Sequence, residues 1–140
     1  MNHTNFKILS KLSLFSFFIG IFMIYSSCGE ISLGSSVNDG IPSGDRIKSG
    51  TLSTYSGTVS VYKTVSGPAT LRFENLSGPT STLLYVWATV DGSETTISTT
   101  LKGTSGNMNF STSITSSNWT SVRISESFSP FTTIATAPLF

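Results

Sequence analysis

The sequence predicts an all-β domain, a small antiparallel β-sandwich or partly closed β-barrel, set behind a cleaved signal and a flexible tether. Three observations predict it. Serine and threonine make up roughly a third of the 140 residues, a composition suited to solvated strand faces and turns rather than helices, which favour Ala, Leu, Glu and Lys. Short runs of alternating apolar and polar residues recur from Thr58 onward, separated by Gly, Pro, Asn and Asp. No amphipathic helical pattern lies between these runs, so neighbouring strands are expected to pair antiparallel. No solenoid-length repeat is present.

The first 27 residues read as an export signal. Lys7 and Lys11 supply positive charge, and an uncharged apolar run extends from Leu12 to Tyr25. That run suits a signal-peptide core and falls short of the ~20 residues that span a bilayer. Ser26 and Ser27 then precede Cys28, the only cysteine. A basic start, an apolar core, small residues and a cysteine resemble a bacterial lipoprotein signal. The resemblance implies a diacylglyceryl group on the Cys28 thiol, cleavage before Cys28 and acylation of the new amino terminus. Tyr25 departs from it, since lipoprotein signals usually place Leu there. The alternatives are an ordinary secretory signal and an uncleaved anchor helix. Two or three acyl chains, at about 0.8 kcal/mol per buried methylene, would make release negligible.

Residues 28–48 are expected to form the lipidated terminus and tether. Gly, Ser, Pro and the Asn38-Asp39-Gly40 triplet interrupt any apolar periodicity there. A flexible chain of ~20 residues reaches about 25 Å. The competing expectation is that Ile41–Lys48 packs as a first edge strand.

Residues 49–140 are expected to fold as the β domain. Thr58–Lys63 alternates with Val59 and Val61 on one face, and Ser66-Gly67-Pro68 ends it. Ala69–Asn75 puts Leu71 and Phe73 on one side and Thr70, Arg72 and Glu74 on the other, an expected exposed face. Ser77-Gly78-Pro79 breaks the chain again. Leu83–Thr89 is nearly all apolar and reads as a central strand closed by Asp91-Gly92. Ile97–Lys102 suggests a shorter strand, and Met108, Phe110 and Ile114 a further one. Ser116–Asn118 suggests a turn, with one helical turn capped by Ser117 as an option. Trp119–Ser127, carrying Val122 and Ile124, and Ile134–Leu139 complete the set.

Across Ile47–Leu139 an ordered set of elements carries a second resemblance. Gly50-Thr51-Leu52 is followed by Ser56-Gly57-Thr58-Val59-Ser60-Val61. Leu71-Arg72-Phe73-Glu74-Asn75 leads to Gly78-Pro79 and to Leu84-Tyr85-Val86-Trp87. Leu101-Lys102-Gly103-Thr104-Ser105-Gly106, Ser121-Val122-Arg123-Ile124, Phe128 and Ala137-Pro138-Leu139 follow. In order and spacing these resemble the electron-transfer DM-thirteen domain, a small extracytoplasmic β domain often found beside DOMON domains. The resemblance implies a redox cysteine three residues before a Phe. Counting back from Phe128, Ser125 occupies that position. A serine hydroxyl is neither acidic nor soft enough for thiolate or metal–sulfur chemistry. Cys28 is no substitute once its sulfur is a thioether.

Composition narrows function further. Cleavage before Cys28 removes 27 residues and leaves 113, without the only histidine, His3. A mature domain lacking His has no Ser–His–acid triad and no His-containing zinc site. Its six basic residues face seven acidic ones with no block of like charge, so nucleic-acid binding is not expected. No cofactor and no metal site are expected.

The leading expectation is a lipid-anchored domain of the bacterial cell envelope, facing the periplasm or cell surface. It would be non-enzymatic, with a binding or structural role. Its partners would be the membrane, through the anchor, and a protein or glycan. Tyr85, Trp87 and Trp119, with Tyr55 and Tyr62, are candidate stacking surfaces, against the plainer reading that they pack the core and strand faces. Electron transfer of the DM-thirteen type is the alternative. Glu74, Asp91, Glu94 and Glu126 are the carboxylates from which a glycosidase pair would have to come.

Overall fold

A computed structural model describes residues 34–126 and 132–140. The signal segment, Cys28 and Phe128 lie outside these residues. Nine strands are formed: β1 (Ser36–Asn38), β2 (Asp45–Thr51), β3 (Ser56–Lys63), β4 (Ala69–Ser77), β5 (Tyr85–Val90), β6 (Ser93–Ser98), β7 (Ser105–Ser111), β8 (Trp119–Ser125) and β9 (Thr133–Pro138). They make two sheets, a five-stranded one in the order β1-β7-β4-β3-β2 and a four-stranded one in the order β6-β5-β8-β9. The fold is an all-β sandwich that does not close into a barrel.

The two-residue period of the strands builds the core. Val59 and Val61 of β3, Leu71 and Phe73 of β4, and Met108 and Phe110 of β7 line one inner face. Val86, Ala88 and Val90 of β5, Val122 and Ile124 of β8, and Ala135 and Ala137 of β9 line the other. Phe73 and Phe110 meet edge to face, with centroids 5.8 Å apart.

The sandwich is hydrogen-bonded along one side and open along the other. Ser49 and Phe140 exchange backbone hydrogen bonds of 3.2 and 3.0 Å, joining β2 to the end of the β9 segment. Gly50 permits this approach, because a Cβ there would overlap the Pro138 carbonyl oxygen. On the opposite side, β6 and Ser111–Ile114 border a cleft of about 230 Å³, lined by Thr95, Thr96, Ile97 and Ser111–Ile114.

Several expectations change. The expected tether of residues 28–48 is folded from Gly34 onward, so the domain begins well before Ser49. Gly and Asn interrupt periodicity there because the segment supplies an edge strand, a crossover and a second edge strand rather than loose chain. β1 pairs with β7 in parallel, the exception to the expected antiparallel order. The strand expected at Ile97–Lys102 lies earlier, at β6. Asp91 and Gly92 both have positive φ, 51° and 78°, as a type I′ turn requires, and pairing resumes at once between Val90 and Ser93. Leu101, left outside the strand, drops into the core. The optional helical turn at Ser116–Asn118 is absent. There the Ser116 hydroxyl accepts the Asn118 N–H at 3.1 Å and donates to Asp91 at 2.9 Å, which fixes a non-helical turn.

Candidate functional site

The outer face of the four-stranded sheet holds four of the residues marked by the sequence: Tyr85, Trp87, Glu94 and Ser125. Alternation along β5 turns Tyr85, Trp87 and Thr89 away from the core. Cross-strand register then sets Tyr85 opposite Ser125, Trp87 opposite Arg123, and Thr89 opposite both Ser121 and Glu94. The Trp87 indole N–H donates to Ser125 Oγ at 2.9 Å, and both residues are buried. Tyr85 stacks on Trp87 with centroids 6.2 Å apart and planes 30° apart. The Arg123 guanidinium lies 4.9 Å from the Trp87 ring centroid, within cation–π range.

Arg123 also reaches across β5 to Glu94. Its Nε and Nη2 donate to the two Glu94 carboxylate oxygens, the latter at 2.7 Å. This fork-to-fork geometry pairs both groups in their charged forms. The Glu94 carboxyl is held below its ordinary pKa, first by the Arg123 hydrogen bond, which outweighs the opposing effect of burial, and to a lesser extent by the Arg123 charge. Arg123 is correspondingly raised, first by its hydrogen bond to Glu94. Arg123, Trp87 and Tyr85 thus form one stacked column clamped at its Arg end.

The marked aromatic residues have different fates. Trp119 is a core residue, fully buried, with its indole N–H donating to the Ser116 carbonyl at 2.9 Å. It presents no stacking surface. Trp87 is only 7% exposed, so its face is taken up by packing. Tyr85 is half-buried and forms the accessible edge of the column. Glu94, Thr96 and Thr136 around it are exposed.

A second polar cluster lies on the outer face of the five-stranded sheet. Arg72 of β4 was expected on an exposed face, yet it is 4% exposed. The crossover that follows β1 runs over it. Arg72 Nη1 donates to the Asp39 and Gly40 carbonyls at 3.0 and 2.7 Å and to Asn109 Oδ1 at 2.8 Å, while its Nε donates to Glu74 at 2.9 Å. Asp39 in turn accepts from Lys102 Nζ at 2.7 Å and from the Asn109 backbone N–H at 2.8 Å. These two bonds, that of Lys102 first, hold its carboxyl below the ordinary range. Sequence reading missed this cluster because, Glu74 aside, its bonded partners are 30 or more residues apart. The one available signal was an arginine in the middle of a strand flanked by core residues.

Three of the four carboxylates raised for a glycosidase pair are separately engaged: Glu74 by Arg72, Glu94 by Arg123, and Asp91 by the Ser116 hydroxyl. Among the described residues, no group of three or more His, Cys, Asp and Glu side chains is placed to hold a metal. The amide of Asn109, the first residue of an Asn-Phe-Ser triplet, is occupied at both ends, by Arg72 and by the Gly40 carbonyl. Comparison of the chain with family models, curated proteins and solved structures finds no match.

Proposed function

We propose that the chain is a lipid-anchored, extracytoplasmic β domain of the bacterial cell envelope with a non-enzymatic binding or structural role. The observation that carries this reading is the engagement of its polar chemistry in structure. Arg72, Lys102 and Arg123 neutralise Glu74, Asp39 and Glu94, and Ser125 serves as acceptor for Trp87. Groups committed in this way are poorly placed to act as acid, base or nucleophile. The sequence supports the anchoring half: Lys7, Lys11, the apolar run Leu12–Tyr25 and Ser26-Ser27-Cys28 stand in lipoprotein-signal order.

In this reading the domain is of the DM-thirteen type with its thiol position occupied by Ser125. Contact with a protein or glycan partner falls to the accessible rim of the outer face, formed by Tyr85, Glu94, Thr96 and Thr136. Mass spectrometry of the native amino terminus tests the anchor. The expected species begins at Cys28 and carries diacylglyceryl and acyl groups. A soluble chain whose Cys28 still reacts with maleimide overturns it.

A further inference from the structure

We propose that residues 34–44 form a releasable latch, in which β1 and the crossover open as one unit while β2–β9 stay folded, so that the length of chain between Cys28 and the sandwich can change. The role in spacing rests on the anchoring reading above; the opening itself does not.

The latch contributes little to the core. Of its residues only Val37 packs against the apolar cluster, and it does so half-buried. Ile41 is 75% exposed. The segment is held instead by directional polar bonds: one from the Thr104 N–H to the Ser35 carbonyl at 2.9 Å, and the others around three consecutive residues. Asn38 Oδ1 accepts from Asn107 at 2.8 Å, Asp39 is bound by Lys102, Asn109 and Arg72, and Gly40 by Arg72 and Asn109. Such bonds are short in range and are lost together once the chain lifts.

Two features make lifting a local event. β1 is only three residues long and lies at a sheet edge, beside β7, where Gly106, at φ +99°, leaves room for the Val37 carbonyl. After release Arg72 retains Glu74 at 2.9 Å, and the freed β7 edge, Asn109 and Lys102 are met by water. Apart from the Thr104 N–H, which loses the Ser35 carbonyl, no buried polar group is orphaned, which is the cost that usually ties a strand to its sheet. The 11 residues of the latch, drawn out fully, add about 36 Å of reach.

Hydrogen exchange on the full-length chain over rising denaturant tests this. The Asp39 amide, bonded to the Asn107 carbonyl, is expected to exchange ~100-fold faster than the amides of Val59, Leu71 and Val86, with little denaturant dependence. One common rate and one common denaturant slope for all four would overturn the latch. Lys102→Met, at an exposed position, should speed Asp39 exchange several-fold and leave the denaturant slopes of the core amides unchanged. An Asn38→Cys/Asn107→Cys cross-link, between register partners of β1 and β7, should slow Asp39 to the core rate until reduced. Flotation of the same chain with vesicles reads the anchor separately. A chain that fails to float but opens first at Asp39 removes the anchoring reading and retains the latch.

Discussion

Trp87 and Ser125, 38 residues apart, are joined by a 2.9 Å hydrogen bond from the indole N–H to the serine hydroxyl, on neighbouring strands and out of contact with water. Tryptophan donates one hydrogen bond through its indole and accepts none, so Ser125 sets the polar environment of the ring. Ser125 is thus a structural acceptor.

Ser125→Ala therefore leaves the Trp87 indole without this acceptor. The expected loss is about 1–3 kcal/mol of stability, read as a lower urea midpoint at constant slope. Ser125→Cys supplies a weaker acceptor of slightly larger volume and should fall between wild type and alanine. An alanine variant as stable as wild type would remove the bond's structural role.

Arg123 and Glu94 should couple measurably but weakly. Glu94 is 41% exposed at its side chain, and solvent screening keeps such pairs near 1 kcal/mol or below. A double-mutant cycle with Arg123→Met and Glu94→Gln is expected to give a coupling of that size. Arg123→Met should cost more than Glu94→Gln, because it also removes the cation lying over Trp87.

Acid should weaken the fold through Asp39 and Glu94 together. Both carboxyls have folded pKa values below their ordinary values of 3.8 and 4.5. Their contribution is thus complete above the ordinary values and disappears as pH falls through the lowered ones. Urea midpoints should be flat above about pH 5 and decline below it. Asp39→Asn combined with Glu94→Gln should flatten the decline and lower the plateau. An equally steep acid limb in the double variant would place the titrating groups elsewhere.

Gly50→Ala should open the bonded side of the sandwich. The added methyl meets the Pro138 carbonyl oxygen, and β2 and β9 must separate to admit it. A loss of about 1–3 kcal/mol is expected, with faster hydrogen exchange at the Ser49 and Phe140 amides. Gly40→Ala, where a Cβ meets nothing within 4 Å, is the control and should be close to neutral.

The expected strand at Thr58–Lys63 and its partner at Ala69–Asn75 match β3 and β4 to within two residues at every end, and their inner faces, Val59 and Val61 against Leu71 and Phe73, were legible in the alternation alone. The outer faces were not. Arg72 and Trp87 occupy polar-face positions by the same period, and both are buried. In one case a crossover lies on top; in the other, stacking partners and a hydroxyl acceptor from the next strand take up the ring. β1 has only three residues and β2 carries a bulge at Arg46/Lys48, so neither shows a readable period.

The sequence by itself determined the all-β class, the inner faces of the main strands and the turn at Asp91-Gly92. Each follows from residue type and spacing over fewer than about ten neighbours, the range over which backbone preference and two-residue periodicity operate. Only the tertiary structure decided that residues 34–44 lie over Arg72, that Ser125 receives the Trp87 indole proton, and that the sandwich is bonded along β2 and β9 yet open beside β6. The bonded arrangements among these join residues 30 or more positions apart, and they arise when two sheets and a crossover pack together and each buried polar group must find a partner.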